Sequence, residues 1–347
     1  MSKIVIYGSY GYTGNLIAEL CSAKKLPAVL SGRNEQKLQE QSQRTKLPYQ
    51  AVSLNDKVAL ENLLEKATLV LHCAGPFEHT ARPMMEACLA TKTHYVDITG
   101  EIKVFELAAA LDKKFKNAEI MALPGGGFDV VPSDCMAAFL KSELPDATEL
   151  KLAIRMKGRI SHGTATTMVE NIGEGGAVRK NGRITRVPAG YKSTKVDFGD
   201  GKKRDVTTIP WGDISTAWHS TKIPNIEVYA AIPAKAFRLS RWFGWILATG
   251  PFQKFLKKKI KSQPAGPSEK ERQTGKSFVW GEAKNESGKT VSAIHDCPEG
   301  YTLTALTAVL IGEKILNGKF KTGFQTPSLA YGADLILEID GAKRIIN

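Results

Sequence analysis

Short apolar runs separated by amphipathic stretches dominate the first 145 residues. Ile4-Val5-Ile6, Ala28–Ser31, Tyr49–Val52, Leu69-Val70-Leu71, Tyr95–Ile98 and Ile120–Leu123 are each too short for a helix and read as strands. Between them the spacing becomes helical: Leu16, Ile17 and Leu20, then a polar helix capped by Asn34 and reaching about Arg44. Asp56 caps a helix through Leu64, Met84, Met85, Cys88 and Leu89 share one side of the next, and a further helix runs from Val104 to Phe115. Strands without polar alternation are buried on both faces, and helices between them supply the crossovers. The pattern therefore predicts an α/β unit built on a doubly wound parallel sheet.

Near residue 145 the rhythm changes. From Thr148 to Ile232 the chain alternates strands with turn signals such as Asn181-Gly182 and Gly199-Asp200-Gly201, with one helical stretch near Thr164 to Asn171. Asn285–Lys289 reads as a hairpin turn, and Leu303 to Leu316 as a helix ended by Asn317-Gly318. The expected organisation is a first domain over 1–145 and an α+β second domain over 146–302 with a mainly antiparallel sheet. Residues 303–347 are expected to return to the first domain.

The first strand runs directly into Gly8-Ser9-Tyr10-Gly11-Tyr12-Thr13-Gly14 and then a helix. Strand, glycine turn and helix N-terminus together form a dinucleotide site. The first glycine permits the turn, the second lets backbone approach a pyrophosphate, and the third lets helix pack on strand. NAD-preferring sites place an acid at the end of the second strand, about 20 residues beyond the glycines. Here Ser31-Gly32-Arg33-Asn34 stands there, with no acid before Glu35. Arg33 offers a charge-assisted fork to a 2′-phosphate and Ser31 a hydroxyl, so the pattern points to NADP in a Rossmann-type domain.

Ligands of such sheets lie outside the carboxyl ends of the strands. Ala74-Gly75-Pro76-Phe77 follows the fourth strand and is a candidate for the nicotinamide ribose. Thr99-Gly100-Glu101 follows the fifth strand, and Pro124-Gly125-Gly126-Gly127-Phe128-Asp129 the sixth. Glu101 and Asp129 are candidates for proton transfer, with a helix N-terminal charge and a structural turn as the competing readings. His162, in Ser161-His162-Gly163-Thr164, is a third candidate, against a structural role. Ser133 and Asp134 read as helix caps, and His72 as a core residue. Tyr191-x-x-x-Lys195 matches a dehydrogenase pair, but in a strand its side chains stand roughly 13 Å apart.

Hydrophobic content of 42% and charged content of 24% among 347 residues describe an ordinary globular chain with room for two cores. Five cysteines without paired spacing read as reduced core residues, with no metal site. A strand starting at Ile4 leaves no room for a signal peptide, so a cytoplasmic protein is expected. The net charge of +13 implies anionic partners. Residues 228–268 contain no acid, and 234–261 combine lysines and arginines with Trp242-Phe243-Gly244-Trp245. That segment suits peripheral membrane or acyl-carrier contact, or a core helix with a basic end; the motifs favour small anionic ligands over nucleic acid.

The glycine turn, Ser31-Gly32-Arg33, Ala74–Phe77, Tyr95–Glu101, Pro124–Asp134 and Gly163-Thr164-Ala165 together resemble the saccharopine dehydrogenase-like oxidoreductases, which include the trans-acting enoyl reductases. Ser9-Tyr10 departs from a common Ala-Thr. The resemblance implies a Rossmann domain, NADP(H), and an α+β second domain over the nicotinamide; that domain is expected to serve substrate binding and homodimerisation. It implies hydride transfer between NADPH and an enoyl or imine substrate, small or thioester-borne. True saccharopine dehydrogenase activity and a non-catalytic NADP-binding scaffold at a membrane are the alternatives.

Overall fold

A computed structural model describes residues 3–156, 158–170, 175–233 and 249–346. Its strands are β1 (Ile4–Tyr7), β2 (Ala28–Gly32), β3 (Tyr49–Ala51), β4 (Leu69–His72), β5 (His94–Asp97), β6 (Met121–Leu123), β7 (Glu149–Met156) and β8 (Gly176–Lys180). They continue with β9 (Arg183–Val187), β10 (Ser193–Asp197), β11 (Lys203–Thr208), β12 (Asn225–Ala230), β13 (Lys276–Lys284), β14 (Thr290–Pro298), β15 (Gly323–Phe324) and β16 (Lys343–Ile346). They form two sheets, and the chain divides into two units: Met1–Val131 with Tyr301–Ala330, and Pro132–Gly300 with Tyr331–Asn347.

The first sheet is parallel throughout, in the order β15-β6-β5-β4-β1-β2-β3. The order reverses beside β1, which places the ligand crevice at the carboxyl ends of β1 and β4. Val5, Tyr7 and Val70 face one core, shared with Leu60, Leu63, Met84, Met85 and Val104 from the crossover helices. On the other face, the Cα of Gly312 lies close to Ile4, Leu69 and Leu71, where an added Cβ would sit 3.7–3.9 Å from their terminal methyls. The late helix Gly300–Leu316 thus covers strands that were made first. Asn34 and Asp56 cap their helices as expected, accepting from Lys37 N and Ala59 N at 3.0 Å. The helix expected over 104–115 is instead two, Ile102–Ala110 and Asp112–Asn117, separated at Leu111.

The second sheet is mixed, running β10-β11-β12-β7-β13-β14-β16 with β8 and β9 attached to β12. Among the described residues, only β12 and β7 pair in parallel there. Strand β13 alternates its faces: Phe278 and Trp280 join Val196, Phe198, Val206 and Tyr229 in one core, while Gly281 faces Met136 and Leu140. Those two residues lie on the helix Val131–Glu143, and this packing draws the helix into the second unit. The unit boundary accordingly falls at Val131 rather than at 145. The C-terminal segment is divided as well: Tyr301–Ala330 stays with the first unit, whereas β16 pairs antiparallel with β14.

A helix that the sequence reading did not anticipate spans Asp213–Thr221. Its Ser, Thr and His content mimics strand composition, yet Ile214, Ser215, Thr216 and Ala217 are all buried, so tertiary packing overrides propensity. The Asn181-Gly182 signal becomes the β8–β9 hairpin turn, with φ of +49° and +76°. Residues 234–248 of the basic aromatic stretch lie outside the described residues; its remainder forms the helix Gly250–Lys261. No helix among the described residues is long and apolar enough to cross a membrane.

Candidate cofactor site

The chain turns at Gly8 with φ +81°, and a Cβ there would stand 2.8 Å from the Ala74 nitrogen. Gly8 therefore carries both a left-handed backbone and a close approach between the ends of β1 and β4. A Cβ at Gly14 would lie 2.4 Å from the Gly8 carbonyl oxygen, so the helix Tyr12–Ala23 seats directly on the turn. Gly11 is that helix's N-cap and provides no side-chain cap. An uncapped first turn carries the positive end of the dipole and suits an anion. The Gly8 and Ser9 amides serve differently: both donate to the Ser31 carbonyl, at 2.8 and 3.2 Å, tying the turn to β2.

Ser9, the departure from Ala, is buried and donates to Gln41 Oε1 at 2.7 Å, while Gln41 Nε2 returns a bond to the Ser9 carbonyl at 2.8 Å. This reciprocal pair fixes the turn. Gln41 escaped the sequence reading because a glutamine in a polar helix carries no signal of burial. Tyr10 lays its ring over Gly32, where a Cβ would meet Tyr10 Cε1 at 2.6 Å. Lys37 stands above the same ring, its Nζ 5.7 Å from the centroid. Exposed Arg33 and Lys37 are four residues apart, at the start of the helix after β2. Ser31 is fully buried and donates its hydroxyl proton to the Gln50 carbonyl at 2.9 Å. That proton is not available to a 2′-phosphate, which corrects the donor role expected for Ser31. Lys37 is the added cation, and its signal was the one-turn spacing from Arg33. No acid stands at the end of β2.

The Ala74–Phe77 segment follows β4, with a cis Gly75–Pro76 peptide. Glu101 is the N-cap residue of its own helix, Ile102–Ala110, but does not cap it. Its carboxylate instead accepts from Phe77 N at 3.0 Å and Glu78 N at 2.6 Å, capping the neighbouring helix Phe77–Thr91. The competing reading of Glu101, a charge serving its own helix, gives way to a carboxylate that braces the Ala74–Phe77 loop. Asp129 lies over Gly100, whose added Cβ would touch Asp129 Oδ2 at 3.0 Å. Burial, and then the nearby Glu101 charge, push the Asp129 carboxyl up to about 7.

Asp97, at the end of β5, was not among the sequence candidates. It is fully buried and accepts from Tyr95 Oη (2.5 Å), Thr99 N (2.9 Å) and Gly125 N (2.8 Å). Burial drives its carboxyl up to about 7 against those bonds. Asp97 thereby joins the loops after β5 and β6. The Gly125–Gly127 loop is held from its far side by Thr304 and Thr307 of the late helix, at 3.0 Å to Phe128 N and 2.8 Å to the Gly126 carbonyl. His72 is a core residue, as read: burial lowers it to about 3, and its ring sits among Tyr7, Phe77 and Tyr95.

His162 opens the helix His162–Glu170 in the second unit. Its Nε2 lies 2.8 Å from the Gln263 carbonyl, which can only accept, so this nitrogen carries the proton. Asp134 accepts from Ser220 Oγ on the Asp213–Thr221 helix. Tyr191 lies outside any helix and Lys195 in β10, so the Tyr-x-x-x-Lys match is not a helical pair.

Residues 4–123 match the model of the saccharopine dehydrogenase NADP-binding domain. That span covers the glycine turn, Arg33, the Ala74–Phe77 loop and Glu101, the segments that converge at the strand ends. Over this first domain the chain is similar to the saccharopine dehydrogenase-like oxidoreductases. The rat protein of that name is 26% identical over 204 residues, 51% of this chain and 48% of its own length. A trans-acting enoyl reductase of Mycobacterium leprae is 31% identical over 141 residues, 38% of this chain and 33% of its own length. The chain thus spans about half or less of the length of the curated relatives it matches. Yeast saccharopine dehydrogenase (L-Glu forming) shares the fold, with a TM-score of 0.69 at 10% identity over the full length of both chains. The first domain is an NADP-binding domain, and the uncapped helix start above the glycine turn fits the pyrophosphate.

Proposed function

We propose that this chain is an NADPH-dependent reductase acting on an unsaturated acyl (enoyl) or imine substrate. The observation that carries the cofactor half is the cationic pair at the start of the helix after β2. Lys37 stands over the Tyr10 ring, and Arg33 directly follows Gly32, on which that ring lies, where an NAD site would present an acid. In this reading Gly11 and the first turn of its helix bind the pyrophosphate, and Arg33 and Lys37 bind the 2′-phosphate. Ala74 to Phe77, braced by Glu101, hold the nicotinamide ribose. When bound, NADPH supplies the hydride.

Hydride delivered to an unsaturated carbon leaves charge on the neighbouring atom, and a proton must follow. Asp129 suits that step because its carboxyl stays half-protonated near neutral pH. Glu101 is engaged by two backbone amides and acts as a positioning residue. His162 has an Nε2 proton committed to Gln263, so a proton-transfer role would fall to Nδ1. The enoyl branch is favoured by the name of the M. leprae relative; saccharopine chemistry is the second reading, supported by the rat and yeast names. A cytoplasmic location accompanies either reading.

The test is NADPH oxidation on addition of an enoyl-thioester, compared with reduction of NADP by saccharopine. Consumption in the first assay alone supports the proposal, and activity in the second alone overturns it. Fluorescence titration tests the cofactor half. Arg33→Ala with Lys37→Ala should weaken NADPH binding by on the order of 10- to 100-fold while sparing NADH. A preference for NADH in the parent protein would sink the NADP assignment.

A further inference from the structure

We propose that the outward face of the Gly250–Lys261 helix docks on an anionic phospholipid surface. The helix has two unlike sides. Phe252, Leu256 and Ile260, spaced one turn apart, are half-buried, and the helix packs against His162–Glu170. Lys257 joins that packed side through an ion pair with Glu170 at 2.6 Å. Away from that contact the helix presents Lys254, Phe255, Lys258 and Lys259, all exposed, with the Phe255 ring 6.3 Å from that of Phe252. Those three lysines make no ion pair among the described residues, and the helix itself contains no acid.

Charge alone would suit many anions. What selects a lipid surface is the apolar component among the cations. Phe255 is 60% exposed in the middle of the lysine stripe, and Met168, on the helix packed alongside, is 53% exposed. A twelve-residue helix is far too short to span a bilayer, which takes about 20 apolar residues. It has instead the arrangement of an interfacial helix, in which an aromatic side chain enters the headgroup boundary and lysines beside it meet lipid phosphates. Each lysine near an anionic leaflet contributes about a fivefold gain in partitioning, so three give on the order of 100-fold. This face lies wholly within the second unit and is independent of the redox reading.

The experiment is co-sedimentation of the full chain with phosphatidylcholine vesicles, with and without about 30 mol% phosphatidylserine. The expected result is binding only with phosphatidylserine, released by raised salt. Lys254→Gln, Lys258→Gln and Lys259→Gln together should lower that partitioning by on the order of 100-fold, and Phe255→Ser alone by about tenfold. Lys202→Gln with Lys203→Gln, exposed cations elsewhere in the unit, should change it little. NADPH titration and thermal melting of each variant establish that it is folded. Equal binding to neutral vesicles, or an unaltered triple variant, overturns the proposal. So does absence of vesicle binding in a protein that binds an acidic acyl carrier or RNA through the same lysines.

Discussion

Replacing Glu101 with glutamine distinguishes a brace from a proton donor at almost constant shape. The native carboxylate takes the Phe77 and Glu78 amides on separate oxygens, at 3.0 and 2.6 Å. Glutamine keeps one acceptor and turns its NH2 toward the other amide, so one N–H loses its partner and faces a second donor. An unsatisfied buried donor costs about 1–3 kcal/mol, and removing an anion from a helix start about 0.3–1 kcal/mol. The Glu78 amide is at the surface, where water offsets part of the loss, so about 1.5–2.5 kcal/mol is expected. For a domain of this size that corresponds to a fall in melting temperature of about 4–8 °C. Loosening the Ala74–Phe77 loop should also weaken NADPH binding. Calorimetry and NADPH fluorescence titration read the two effects. A Glu101→Gln protein that melts like its parent and binds NADPH normally, yet turns over about a hundredfold more slowly, would refute the brace and restore a proton-transfer role.

Gly14→Ala forces a Cβ to within 2.4 Å of the Gly8 oxygen, so either helix or turn must shift. A loss of about 1–3 kcal/mol in stability and at least about tenfold in NADPH affinity is expected; unchanged affinity would contradict the seating of the helix on the turn. In the second unit, His295 is buried, with Nδ1 2.9 Å from the Pro132 carbonyl and Nε2 accepting from Arg344 at 3.1 Å. Burial lowers His295 to about 4, so the folded state keeps it neutral while the unfolded chain takes up a proton below about 6.5. Its contribution is therefore complete above that pH and declines as pH falls toward 4. His295→Gln should flatten the melting temperature against pH across this window, and parallel profiles for the two proteins would exclude the effect.

Much of the first domain was legible because its signals are local. Ile4-Val5-Ile6 cannot be anything but a buried strand when glycines and a helix follow at once. Asn34 and Asp56 cap through bonds three residues away. Arg33 was visible because a Rossmann site presents one residue type at one place. The catalytic candidates were less legible, since their surroundings come from distant chain. Glu101 reads as the cap of its own helix and caps another, 24 residues upstream. Ser31 reads as a donor, but the Gln50 carbonyl takes its proton. Asp97 is indistinguishable from any strand-end aspartate until Gly125 closes on it. The Asp213–Thr221 helix was hidden because burial, rather than propensity, makes it.

By itself the sequence determined the βα alternation and the dinucleotide turn, because each rests on contacts between near neighbours, and it pointed to NADP through the absence of an acid at the end of β2. Tertiary structure decided where the units divide, which acid braces which helix, and how the glycine loop after β6 is held. The late helix Gly300–Leu316 grips that loop through Thr304 and Thr307, and β16 takes its place beside β14. Those choices depend on shape and burial between segments that are not neighbours in sequence, 24 residues apart at Glu101 and Phe77 and 176 at Phe128 and Thr304, for which no local pattern exists.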